Sequence, residues 1–153
     1  MRWRPAGSTE DGSAIVEFVV VGVAVLVPLM YLVLAASVVQ RNALGVTQAA
    51  REAGRAFATA DDESAGLERT GHAVRVALAD QGLDTGGVAV RWVEAGPACT
   101  GAAVGPTLES GAEFTVCVVR SFRLPGVPGY LDAGRNTVTG AFTVHVDEFR
   151  SAR

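Results

Sequence analysis

Hydrophobic and polar positions alternate in three different ways along this chain. From Phe18 to Val39 no side chain is charged, a run of about 22 residues, enough for an α-helix to cross the hydrocarbon core of a bilayer. Beyond it the pattern narrows. Val39, Ala43, Val46, Ala50, Ala53 and Phe57 recur at alternating steps of four and three, while Gln40, Arg41, Gln48, Arg51, Glu52 and Arg55 fall off that stripe. This predicts one helix from Ser13 to about residue 60, roughly 70 Å long at 1.5 Å per residue, apolar all round in its first part and amphipathic in its second. Gly22 and Pro28 interrupt the apolar run; membrane helices tolerate both, and Pro28 predicts a kink. The Ala-rich stripe permits close approach, either by the chain's own sheet or by neighbouring subunits.

Asp61 and Asp62 offer an N-cap for a second helix, which turns Leu67, Val74, Ala77 and Leu78 toward a core and stops at Gly82. From Val88 onward the period becomes two. Val88, Val90 and Trp92 alternate with Ala89 and Arg91; Phe114, Val116 and Val118 with Thr115 and Cys117; Val138, Phe142, Val144 and Val146 with Thr139, Thr143, His145 and Asp147. Three half-buried strands follow, linked by Gly- and Pro-containing segments at Gly96-Pro97, Gly105-Pro106 and Leu124 to Gly129. The expected fold class is α+β: a long N-terminal transmembrane helix (13–40) continued by an amphipathic helix (41–60), then a domain (61–153) with a short helix and a small antiparallel sheet.

Composition narrows the function. The chain has 153 residues, 49% of them hydrophobic, and a net charge of −3. Without the apolar run, enough chain remains for one small domain with a modest core. All 13 basic residues are Arg and none forms a cluster, so the electrostatic footprint of a nucleic-acid binder is absent. A phosphate loop needs a Lys, and neither G-x-S-x-G nor a G-x-G-x-x-G leading into a helix occurs. His72, His145, Cys99 and Cys117 lack the C-x₂-C and H-x₃-H spacings of a zinc site. Asp61, Asp62 and Glu63 read as a helix cap, Trp92 as core, and both histidines as solvated. No enzyme, metal site or cofactor is expected.

Cys99 and Cys117 both lie beyond the apolar run. On an oxidising side of a membrane one disulfide is their simplest use, closing a loop worth about 3 kcal/mol in the chain-entropy model. The alternative is one thiol in a core and one in a loop. A secretory signal would carry a shorter apolar stretch of about 7–15 residues and a small-x-small cleavage site. Leu34-Ala35-Ala36 supplies only an imperfect one, so the segment reads as a retained membrane helix. Arg2 and Arg4 precede it while Arg41, Arg51 and Arg55 follow it, and the positive-inside rule leaves the orientation open.

One acid, Glu17, stands at the head of the apolar run, five places after Gly12. An ionisable group there is costly and marks function. If the chain is cut after Gly12, Ser13 becomes an α-amino terminus with Glu17 one helical turn away. A carboxylate in the first turn is favoured by the helix dipole. In an assembly of such helices, Glu17 of one subunit would neutralise the Ser13 amine of another and set their longitudinal register, because opposite charges attract more strongly in a low-dielectric medium.

The stretch Gly12-Ser13-Ala14-Ile15-Val16-Glu17-Phe18 resembles the prepilin-peptidase site of type IV pilin-like proteins. Together with Ala49-Ala50-Arg51-Glu52-Ala53-Gly54-Arg55 it is similar to the TadE-like minor pilins of tight-adherence (Flp) pilus systems. The likeness covers about the first 60 residues. It implies a leader peptide at 1–12, processing between Gly12 and Ser13, and Glu17 and Phe18 as register residues. It also implies a cytoplasmic N-terminus, an extracytoplasmic C-terminal domain, and membrane lipid, a prepilin peptidase and other pilin-like subunits as partners. Ser13 replaces the aromatic or apolar residue of many pilins, so N-methylation is not implied. The other expectation is an unprocessed, membrane-tethered binding domain.

Overall fold

The computed structural model describes residues 10–128, 130 and 136–148; most of the expected leader, residues 1–9, lies outside that range, as does Gly129 of the Pro-Gly link. The described chain is α+β. Helix α1 (Glu10–Ala58) is followed by α2 (Glu63–Asp80) and strands β1 (Val88–Glu94), β2 (Glu113–Phe122) and β3 (Asn136–His145). Contacts divide the chain between Ser37 and Val38. In the first unit the large apolar residues Phe18 to Leu34 are exposed, Phe18 at 78%. By length and composition this part of α1 suits a membrane span. Pro28 sits inside the helix.

In the second unit, β2 is the central strand of an antiparallel sheet ordered β1-β2-β3. Phe114, Val116 and Val118 of β2 and Val144 of β3 form one core with Val46, Ala49, Ala50, Ala53 and Phe57 of α1 and Val74, Ala77 and Leu78 of α2. The small-residue stripe of α1 is therefore covered by the chain's own sheet and second helix. It is also wider than a single heptad seam. Asn42, Gly45, Ala49 and Gly54 join it, while Val39 stays 41% exposed, because the helix packs against two surfaces at once.

Small residues set how closely these layers approach. A Cβ on Gly140 of β3 would collide with the backbone carbonyl of Val46, so the strand lies directly on the helix main chain. Phe57, by contrast, fills a wide gap. Its ring centroid lies 5.0 Å from Trp92 and 5.6 Å from Phe114, and those two are 5.4 Å apart. Tilted and edge-on ring pairs of this kind add about 0.5–1.5 kcal/mol beyond the area they bury.

Helix α2 begins as the Asp61-Asp62 pair suggests: the Asp62 carboxylate accepts the Ala65 N–H at 2.8 Å. It ends in a Schellman motif, with Leu83 N–H donating to Leu78 O and Gly82 N–H to Ala79 O and Gly82 at φ 66°, a conformation that glycine adopts without a Cβ clash. One expected core residue is displaced. Leu67 is 49% exposed, whereas Gly66 and Thr70 are buried. The contact face runs through 66, 70, 74 and 77, because Phe57 abuts Gly66 and the Thr70 hydroxyl donates to Ala53 O at 3.2 Å.

Strand β2 is buried on both faces, a departure from the half-buried pattern. Thr115 and Cys117, on the face away from the helices, are fully covered by residues following β1. The Thr115 hydroxyl accepts the Gly96 N–H at 3.0 Å and lies 2.9 Å from Gly96 O. Cys99 is joined to Cys117, and Ala103 bridges to Val93.

Gly140→Ala should destabilise the domain by about 1–3 kcal/mol, because the clashing atoms are backbone and cannot rotate away. Urea unfolding of the variant against the parent measures this; an unchanged midpoint would contradict so close a helix–strand approach.

Candidate functional site

The residues singled out by the sequence fall in three places. Gly12 and Ser13 lie in the first turn of α1, which begins at Glu10, three residues before the expected mature start. Glu17 and Phe18 follow on the same helix, both exposed. Ser13 and Glu17 are separated by four residues, so they occupy one helix face. Glu17 has no ion-pair partner among the described residues. The Glu17 carboxylate thus stands directly before the uncharged, largely exposed run 18–39 of α1.

Cys99 and Cys117 meet as a disulfide with Cα atoms 5.8 Å apart, which pins the loop after β1 onto the outer face of β2. That bond engages both sulfurs, so neither is available to a metal. The histidines lie apart from it. His72 is exposed on α2, and His145 Nδ1 lies 2.7 Å from the Glu113 carboxylate across β2 and β3. Among the described residues no group of three or more His, Cys, Asp or Glu is placed to hold a metal ion. Asp61, next to the Asp62 cap, pairs with Arg69 at 3.1 Å.

Sequence reasoning missed a buried cation. Arg120 continues the inward series Phe114, Val116, Val118 of β2 and is only 6% exposed. A charge so placed costs several kcal/mol unless its donors are matched, and here they are. Arg120 Nε donates to Asn42 Oδ1 at 2.8 Å. Its Nη1 donates to Asp84 O and, at 3.1 Å, to Gly86 O. Its Nη2 lies 3.4 Å from the Asp84 carboxylate. Asn42 in turn donates through Nδ2 to Val38 O at 2.9 Å, which fixes its amide orientation. The guanidinium therefore joins α1, the α2–β1 connection and the central strand. The available signal was an Arg continuing the apolar inward series Phe114, Val116 and Val118 of β2.

Two carboxylates are shifted by their local partners. Hydrogen bonds from Ser64 and the Ala65 N–H hold Asp62 below its ordinary value of 3.8. The Gly86 N–H, and then the Arg120 charge, do the same for Asp84. Both side chains are solvent-facing, so screening keeps each effect modest.

Arg120→Leu should lower stability by roughly 1–3 kcal/mol, because the buried Asn42 Oδ1 loses its donor and the partly covered carbonyls of Asp84 and Gly86 lose theirs. Asp84→Asn should cost much less, since its side chain is 81% exposed; chemical denaturation of both variants tests the ranking. For pH the sign is set by folded carboxylates that bind protons more weakly than unfolded ones. Their contribution is complete above the unfolded value near 3.8 and is lost as pH falls through the lowered folded values. Melting temperature should fall more steeply below about pH 4 in the parent than in an Asp62→Asn/Asp84→Asn double variant.

No family model, no curated protein and no solved structure matches this chain.

Proposed function

We propose that this chain is a pilin-like, TadE-like component of a tight-adherence type IV pilus assembly system, held in the membrane by the first part of α1. The observation that carries the reading is Glu17, an acid five places after Gly12 and directly before the uncharged, largely exposed run 18–39 of α1. Nothing on the described chain neutralises it, and a terminal amine at Ser13 of a neighbouring subunit has the complementary charge. Such a pair would align rods that are otherwise uniformly apolar. Prepilin peptidase would cut after Gly12, and lipid and other pilin-like subunits would surround the span. No catalytic role is assigned.

In this reading the N-terminus is cytoplasmic and residues 38–153 lie on the extracytoplasmic side. The Cys99–Cys117 bond supports that side, because disulfides persist in oxidising compartments. The small-residue stripe of α1 is not the assembly surface, since the sheet and α2 occupy it. Assembly contacts therefore concentrate in the apolar part of α1, where van der Waals packing and a single charge pair supply the specificity.

One observation favours an unprocessed, membrane-tethered domain instead. The Gly12–Ser13 peptide bond lies inside a helical turn, whereas a protease needs extended backbone. Fraying of a helix end is the route by which that bond becomes accessible.

Coexpressed with a cognate prepilin peptidase, the mature protein should begin at Ser13 by intact mass and N-terminal sequencing. Retention of Met1 would leave only the tethered domain. Glu17→Ala should insert into membranes as the parent does, yet lose co-purification with pilus components; undiminished co-purification would remove the register role.

A further inference from the structure

The two edges of the sheet are treated differently. On β1, Glu94 N–H donates to Ala102 O and Val104 N–H to Trp92 O, so the loop after β1 covers that edge beside Trp92 and Glu94. On β3 no described residue forms a comparable ladder. Which groups face outward follows from the hydrogen bonding just past the strand. Val146 N–H donates to Ala112 O, and Val146 O accepts the Gly111 N–H, so Val146 points toward β2. In an antiparallel strand that direction alternates. Thr137, Thr139, Ala141, Thr143 and His145 therefore turn their N–H and C=O groups to the open edge. An edge of this kind is a template for another strand unless charge, proline or a bulge blunts it.

A groove of about 470 Å³ lies along the middle of that edge. It is lined by Ala141, Phe142 and Thr143 of β3, by Arg51 and Arg55 of α1, and by Gly96 and Pro97 beyond β1. Arg51 has no ion-pair partner among the described residues, and Arg55 meets only Glu52, on its own helix, at 3.9 Å. A protein of net charge −3 thus concentrates two exposed guanidiniums beside its open strand edge. Each presents a planar fork suited to a carboxylate.

We propose that β3 is a strand-addition site for an extended acidic segment of a partner protein. The partner backbone pairs with the outward N–H and C=O groups of Thr139, Ala141 and Thr143, and its Asp or Glu side chains meet Arg51 and Arg55. Main-chain pairing supplies the affinity and the two arginines supply the choice of sequence, as in other edge-binding modes. This site lies within residues 38–153 and does not depend on leader processing or on the pilus reading.

The test uses the full chain in detergent micelles and a fluorescein-labelled octapeptide, Ser-Asp-Val-Asp-Val-Asp-Val-Ser. Anisotropy should rise to saturation, with an affinity at least tenfold tighter than for the peptide carrying Lys in place of Asp. Arg51→Glu/Arg55→Glu should weaken binding tenfold or more. Ala141→Pro should do the same while keeping the fold, because the lost N–H points away from β2 and proline is tolerated on an edge. Should that variant misfold, the parent with a peptide N-methylated at alternate residues answers the same question, and binding should again fall at least tenfold. Amide exchange at Ala141 and Thr143 should slow when the peptide binds. No binding at millimolar peptide, equal binding of the Lys or N-methylated peptide, or dimerisation of the chain through β3 that excludes the peptide would each overturn the proposal.

Discussion

The main chain of α1 at Val46 and that of β3 at Gly140 lie so close that no side chain fits between them. Much of the domain is arranged around that contact. It brings the sheet down onto the Ala- and Gly-bearing face of the helix, and it leaves room farther along for Phe57 to fill the space against Trp92 and Phe114. Small residues at one end and a large ring at the other give the layers their wedge. Interiors packed to crystal-like density transmit such a constraint from one end of a layer to the other.

Arg120 is the polar counterpart of that contact. It sits where the apolar series of β2 ends and where α1, the α2–β1 connection and the strand converge. Replacing such a group by an apolar residue of similar shape is not automatically destabilising, but here three acceptors from two other elements depend on it. The same segment of α1 that contributes Asn42 to this network follows directly on the apolar run. One helix thus changes surroundings along its length: residues 18–34 are largely exposed and uncharged, and the later part is half enclosed by the domain. The outer face of β2 is closed by a different device, the Cys99–Cys117 bond together with the Thr115–Gly96 hydrogen bonds. These hold the loop after β1 against the sheet and cover part of the β1 edge. The β3 edge has no such cover among the described residues, and the two arginines beside it give the domain a polarity that its composition does not reveal.

Much of this was legible from residue order, because local periodicity needs no partner to be read. The uncharged run, the cap at Asp62, the stop at Gly82 and the three alternating strands each follow from spacing and from the conformational preferences of single residue types. The placement of Glu17 five residues after Gly12 is likewise a matter of order alone. What spacing could not assign was the occupant of each face. Whether the small-residue stripe of α1 meets another subunit or its own sheet depends on residues about a hundred positions away. Leu67 and Thr70 exchange roles because Phe57 and Ala53 happen to oppose that side of α2. Thr115 and Cys117 alternate like solvent-facing residues and are buried by a loop with no regular pattern of its own. Arg120 is a surface residue by composition and a core residue by position, since only the fold brings Asn42, Asp84 and Gly86 around its donors. The open edge of β3 and its paired arginines belong to the same class: strand order and the lie of α1 against the sheet are long-range consequences of burial, which a sequence period of two or of three and a half cannot encode.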